Sequence, residues 1–183
     1  MNKAPLRKKY RQIRKELPNK PLLDTSIMEN FLREFRLRQY ASIGLYIPLD
    51  GEVDPMLLLN NLTDKILCLP CTSGSREMLF RTWKNGDELI QLKNSQIRQP
   101  KNGVRITPDV VLVPLIAFNE DCHRLGFGKG FFDRFIDSSR SNGFHTRYIG
   151  LGYDEQLCAE LKIEKHDQPL DSIITQSTVY RRK

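Results

Sequence analysis

The chain has 183 residues, 39% hydrophobic and 28% charged, which suits one well-cored domain and leaves little room for a second. Its net charge of +7 sits at the ends: residues 1–15 hold seven basic side chains and no acid, and residues 181–183 are all basic. Without those ten the body carries 19 basic against 22 acidic residues, which counts against the broad basic face of a DNA-binding domain while leaving a basic RNA-binding arm open. No apolar run reaches membrane-spanning length, and the start lacks the apolar stretch of a secretory signal, so a cytoplasmic protein is expected.

Leu6, Tyr10, Ile13 and Leu17 recur at helical spacing, which predicts an amphipathic helix over residues 3–17 with a basic outer face, broken by Pro18 and Pro21. A second helix is expected to start at Asp24 or Thr25 and turn Ile27, Phe31 and Phe35 inward. Residues 42–47 read as a strand, followed by a Pro48-Leu49-Asp50-Gly51 loop. Asp54 and Pro55 then cap and open a short helix through Leu62. Strands are predicted at 65–70 and 78–83, joined through Thr72-Ser73-Gly74-Ser75. Cys68 and Cys71 have C-x-x-C spacing, but extended backbone sets their Cα atoms about 10 Å apart, too far for a disulfide. Reduced thiols are therefore expected at all four cysteines. Residues 84–108 read as polar and irregular, with turns at Asn85-Gly86 and Asn102-Gly103.

Residues 110–113 form a continuous apolar run of the kind buried on both faces of a sheet. A long loop then leads into a helix over about 131–139. A strand at 147–151, a helix at 154–162 and a last buried strand at 171–175 complete the pattern. Alternating strands and helices predict an α/β fold. The expectation is a single three-layer domain over residues 1–183, with a mostly parallel sheet flanked by helices, of the sugar-phosphate isomerase/CoA-transferase-like kind. Ligands in such folds sit beyond the C-terminal strand ends.

The segment Arg124-Leu-Gly-Phe-Gly-Lys-Gly-Phe-Phe-Asp-Arg134 falls in that position. Glycines at 126, 128 and 130 let backbone amides approach a ligand and take positive φ. Lys129 and Arg134 add positive charge, and Asp133 can hold a divalent cation; together these are the parts of a polyphosphate site. The run matches neither common fingerprint. A dinucleotide loop needs glycine where Phe131 stands, and a Walker A loop needs Ser or Thr where Gly130 stands.

These residues and their neighbours resemble the 5-formyltetrahydrofolate cyclo-ligases, also called 5,10-methenyltetrahydrofolate synthetases, nearly end to end. The likeness runs through Lys3 and Leu6-Arg7, Glu52-Val53-Asp54, Leu69-Pro70, Met78, Phe80 and Trp83. It continues through Val113-Pro114, Ala117-Phe118, the glycine segment, Ile149-Gly-Leu-Gly-Tyr153 with Gln156, and His166-Asp167 with Asp171. Asn119 stands where that family commonly has aspartate, and Cys122 where it frequently has glycine. The resemblance implies ATP- and Mg²⁺-dependent closure of 5-formyltetrahydrofolate to 5,10-methenyltetrahydrofolate through an N5-iminium phosphate, with ADP and phosphate released. It implies an ATP site of Lys3, Arg7, Arg124, Leu125, Gly126, Phe127, Gly128, Lys129, Gly130, Phe131 and Phe132, in which Lys129 and Arg124 are catalytic. It also implies Asp133 and Asp167 as Mg²⁺ ligands, and Ile47, Glu52 and Tyr153 as folate contacts. A monomer acting on small molecules is expected, with neither nucleic acid nor membrane as partner. Two other readings of the residues stay open: a nucleotide- or RNA-binding module using the basic ends, and an isomerase or acyl-CoA transferase on a related fold.

Overall fold

A computed structural model describes residues 3–73, 77–93 and 97–182. Two helices come first, α1 (Ala4–Glu16) and α2 (Lys20–Glu34), each with a proline in its first turn, where a missing N–H leaves no bond unmade. Pro21 therefore opens α2. The expected start at Asp24 or Thr25 is corrected, because Asn19 takes a left-handed N-cap and Asp24 lies inside the helix. Strands β1 (Ser42–Gly44), β2 (Ile66–Ser73) and β3 (Glu77–Thr82) follow. Gly74 and Ser75 of the expected turn lie outside the described residues. Next come β4 (Leu89–Gln91), β5 (Arg98–Pro100), β6 (Arg105–Ile106), β7 (Val110–Pro114), β8 (Ala117–Phe118) and β9 (Arg124–Leu125). Helix α3 (Phe131–Ser141) precedes β10 (Arg147–Leu151), β11 (Ser172–Ile174) and β12 (Val179–Arg181).

The main sheet has eight strands in the order β12-β11-β10-β7-β1-β2-β3-β6. The central five, β11 to β2, pair in parallel, while β12, β3 and β6 are antiparallel additions at the edges. Alternation along the strands sorts side chains to two cores. Val110 and Leu112 of β7 pack with Ile27 and Phe31 of α2, whereas Val111 and Val113 pack with Ile136 of α3 on the other face. This is the expected three-layer α/β arrangement. A third, smaller core places Tyr10 of α1 against Ile116, Ala117 and Leu125, over the turn beyond β7.

Three parts of the sequence reading change. Residues 84–108 contain three short strands where irregular chain was expected. The expected helix at 154–162 is one 3₁₀ turn, Asp154–Gln156. There the buried Gln156 side chain donates to the carbonyls of Leu115 and Ile116, and the Cys158 amide donates to Phe118, which draws the chain out of helical path. The last buried strand is followed by β12, which returns antiparallel along it. All four cysteines are buried free thiols, as expected. No helix among the described residues is long and apolar enough to cross a membrane.

Topology fixes where a ligand can sit. From β1 the chain moves to β2 on one side, and from β7 to β10 and β11 on the other, so the strand order switches between β1 and β7. Loops leaving the C-terminal ends of these two parallel strands must separate, and the gap between them is a cleft.

Candidate active site

A cavity of about 540 Å³ opens at that switch point. Its walls are the loop after β1 (Tyr46, Ile47, Leu49, Glu52), the end of β7 (Pro114), the run from Arg124 to Asp133, Lys3 and Arg7 of α1, and Glu164, His166 and Asp167. Pro70 and Met78 from the β2–β3 pair make an apolar side.

The glycine run forms one end. Arg7 Nε donates to the Gly126 carbonyl at 2.8 Å, which seats α1 on the loop. Gly128 has φ +94°, where an L side chain is strained, and a Cβ there would lie 3.0 Å from the Arg7 guanidinium, which would have to shift. Gly130 is the left-handed N-cap of α3, and Arg134 Nη2 folds back to the Lys129 carbonyl at 2.8 Å. The Lys129 side chain is exposed at the mouth of the cleft.

Behind the loop, Arg124 is buried. Its Nη1 lies 3.2 Å from Asp133 Oδ1 and donates to the Gln168 carbonyl at 3.3 Å, and its guanidinium rests over the Phe132 ring. Burial pulls Arg124 below its ordinary pKa while the Asp133 charge opposes the shift. Asp133 Oδ1 also accepts from the Gln168 amide at 3.2 Å, which brings the segment carrying Asp167 to the start of α3. Asp167 Oδ2 accepts from Lys3 Nζ at 2.6 Å and from the Glu164 amide at 2.8 Å. Burial pushes the Asp167 carboxyl up, but the Lys3 ammonium and that amide together outweigh it, leaving it below the usual carboxylate range.

At the other end Glu52 is held by its own turn. Asp50 and Gly51 take left-handed φ values of 52° and 75°, which carries the Leu49 amide to Glu52 Oε2 at 3.0 Å. Burial raises the Glu52 carboxyl from 4.5 to about 7, against the pull of that amide and of Arg14. The cleft therefore has a cationic, amide-rich end, an apolar side, and one carboxyl poised to change charge near neutral pH.

The model of the 5-formyltetrahydrofolate cyclo-ligase family matches residues 1–176. The chain belongs to that family. It is 32% identical over 148 residues to the 5-formyltetrahydrofolate cyclo-ligase of Escherichia coli K12, covering 76% of this chain and 80% of that one. A solved 5,10-methenyltetrahydrofolate synthetase from Mycoplasma pneumoniae superposes with a TM-score of 0.78 at 25% identity, over 97% of this chain and 100% of that one. The NMR structure of the Aquifex aeolicus 5,10-methenyltetrahydrofolate synthetase gives 0.82 at 28% identity, over 99% and 93%.

For a member of the cyclo-ligase family, the structure gathers nearly all the residues singled out from sequence. Lys3, Arg7, Ile47, Glu52, Asp167 and the whole run from Arg124 to Asp133 line one cavity. Tyr153 does not, and this expectation is corrected. The ring is fully buried in the main core and its hydroxyl donates to Asp24 Oδ1 at 2.6 Å, so it faces α2 and not the cleft. Cys122 keeps the turn that glycine would make: its φ is +62°, and its amide donates to the Asn119 carbonyl. Asn119 Oδ1 in turn accepts from the His123 amide at 2.9 Å, closing the loop between β8 and β9.

Two residues at the acidic corner were missed. Donor atoms of Glu164, His166 and Asp167 lie within 4.8 Å of one another, with Asp133 reached through Gln168 rather than in that trio. The signal in the sequence is the spacing Glu164-x-His166-Asp167, which puts three possible donors within four residues. The oxygen-rich corner, held beside a cationic loop and already drawing the Lys3 ammonium, fits a hard divalent cation, which takes one or two carboxylates and completes its shell with water and phosphate.

Proposed function

We propose that this chain closes 5-formyltetrahydrofolate to 5,10-methenyltetrahydrofolate at the expense of ATP, as a monomer whose single domain supplies every group required. The observation that carries the reading is the one cavity with two unlike ends: a glycine-rich cationic loop, and an apolar pocket ending on Glu52. The first suits a triphosphate and the second a pterin-sized ring.

The chemistry divides between those ends. The formyl oxygen attacks the γ-phosphorus in line and ADP leaves, giving an N5-iminium phosphate. N10 then adds to the activated carbon and loses its proton, and phosphate departs. Charge spreads over the transferred phosphoryl oxygens in the first step, where Lys129 and Arg7 stand at the loop, with Arg124 buried behind it. Arg124 also braces Asp133, fixing the start of α3. Glu52, poised about 7, suits the acceptance of a proton from the substrate. Asp133, Asp167 and Glu164 would hold Mg²⁺, which when bound neutralises phosphate charge.

Incubating the purified protein with MgATP and 5-formyltetrahydrofolate should produce the near-ultraviolet absorbance of the methenyl product, with ADP in equal amount. Neither signal appearing at any pH between 5 and 9, a range of roughly two units around the Glu52 midpoint, would overturn the reading.

A further inference from the structure

Lys3, the N-cap of α1, and Arg7, Arg11 and Arg14 within the helix stand at spacings of four, four and three, which is one edge of the helix. Lys3 and Arg7 line the cleft, and Arg11 and Arg14 pack against residues that do. Lys3 sits on the acidic corner, Arg7 on the glycine run, and Arg11 lies 4.8 Å over the Phe127 ring. Arg14 ends the row beneath Glu52 and is fully buried. An unpaired guanidinium is among the costliest groups to bury, so what surrounds it must use its charge.

Its contacts are specific and incomplete. Nη1 donates to the Leu115 carbonyl at 3.1 Å, just past the end of β7, and stands 3.8 Å from Glu52 Oε1. Nη2 is 3.6 Å from Asp50 Oδ2. Arg14 Nε, Arg14 Nη2 and Glu52 Oε1 are buried without a hydrogen-bond partner among the described residues. A closed guanidinium–carboxylate fork would sit near 2.7–2.9 Å, roughly an ångström closer. Glu52 is thus within the field of Arg14, tied by its other oxygen to the Leu49 amide, with Oε1 left uncommitted on a residue that lines the cavity.

We propose that Arg14 is the positioning residue for Glu52. From beneath the cleft it braces the carboxyl between the ends of β1 and β7 and leaves Oε1 without a hydrogen bond of its own, so that the carboxyl can turn to the folate substrate. This rests on the reading of Glu52 as the folate-side carboxyl. The charged and titratable groups around Glu52 are Asp50 from its own loop, Tyr46 from the end of β1, Arg11 and Arg14 from α1, and Lys20 from α2. Asp24 and Tyr153 lie beyond them. Burial sets the direction of the Glu52 shift, and Arg14 opposes it more than Arg11 does.

The test follows the Glu52 carboxyl by carbon NMR in glutamate-labelled protein, assigned with Glu52→Gln, together with kcat and KM for each substrate. In Arg14→Gln the Glu52 midpoint should move up by about one pH unit, since an opposite charge has been removed. The acid limb of kcat/KM should follow it, and the folate KM should rise about tenfold while the ATP KM stays near wild type. In a Glu52→Gln background the same substitution should change the folate KM less than about twofold, because residues acting through one another are not additive. An unmoved midpoint, or an equal cost in both backgrounds, would show Arg14 to be structural only. Should Arg14→Gln fail to fold, Arg14→Lys decides. It keeps the charge but loses the planar guanidinium that spans the Leu115 carbonyl, Asp50 and Glu52, so the midpoint should hold while the folate KM rises; a wild-type KM there overturns the proposal. The titration needs no turnover, so failure of the cyclo-ligase reading would show separately, as an inactive wild-type enzyme.

Discussion

At Gly128 the backbone stands at φ +94°, and a Cβ there would lie 3.0 Å from the Arg7 guanidinium; at Gly126 no atom lies within 4 Å of such a Cβ. The two glycines of one run therefore differ in kind. Gly128→Ala should lose about 1–2 kcal/mol of stability, from left-handed strain and the displacement of Arg7, and should raise the ATP KM. Gly126→Ala should melt within a degree or so of wild type, since a surface change away from strain costs about 0.5 kcal/mol or less. Thermal unfolding of both variants separates the cases, and equal losses would contradict the geometry. Glu52 gives a second prediction. Its pKa is raised from 4.5 to about 7, so between those values the folded state binds more proton than the unfolded one, and the Glu52 contribution to stability falls as pH rises. Glu52→Gln removes that dependence. Its stability relative to wild type should improve by about 3 kcal/mol between pH 4.5 and 7.5, on top of any constant cost of leaving Arg14 less well paired. Denaturant unfolding across that range checks it; a difference that does not change with pH would mean Glu52 titrates normally.

Helix α1 acts on the cleft as a unit because one stripe docks it and the neighbouring stripe reaches the site. Tyr10 packs against Ile116, Ala117 and Leu125, and its hydroxyl donates to the Leu157 carbonyl at 3.1 Å. Tyr10→Ala should cost about 3 kcal/mol, as for other large aromatic truncations. It should also raise the ATP KM, since Arg7 and Lys3 are one and two turns away on the same helix. A destabilised variant with unchanged KM would show that the basic residues hold their places without the helix behind them. The apolar stripe of α1 was plain in the sequence, as were β7, β10 and the start of α3, since each has a long enough period or run to be read. What escaped reading was short or set by distant partners. Strands of two or three residues such as β6, β8 and β9 show no alternation to count. The turn at Asp154–Gln156 depends on carbonyls near residue 115, far along the chain. Arg11 and Arg14 were visible as basic residues but passed for a solvated face, although each follows a docking residue, Tyr10 or Ile13, by one position. Nothing local distinguishes an arginine beside a core stripe from one facing water.

At the scale of the molecule, the charge asymmetry and the topology explain one another. Two of the seven basic side chains in residues 1–15, Lys3 and Arg7, line the wall of the cleft, and Arg14 is buried beneath it, so part of the charge at the start of the chain is turned toward the site. That wall exists because the strand order switches between β1 and β7, and the sheet behind it must hold the two loop origins at a fixed separation. Gly44 ends β1 at this point, paired with Val111 of β7 on one side and Cys68 of β2 on the other. A Cβ there would meet Phe80 at 2.8 Å and Val111 at 3.2 Å. Phe80 is fully buried, with its ring 5.1 Å from that of Phe135 on α3, so it has nowhere to retreat. Gly44→Ala should therefore cost about 1–3 kcal/mol by overpacking the layer between sheet and α3. Gly44 does not line the cavity, and the crowding falls on the face opposite α2, so both KM values should stay within about threefold of wild type, a change of roughly 0.65 kcal/mol. Loss of stability with binding retained would show that the sheet carries the cleft as a rigid base. If both KM values instead rose in step with the loss of stability, the separation between β1 and β7 would itself be part of the site.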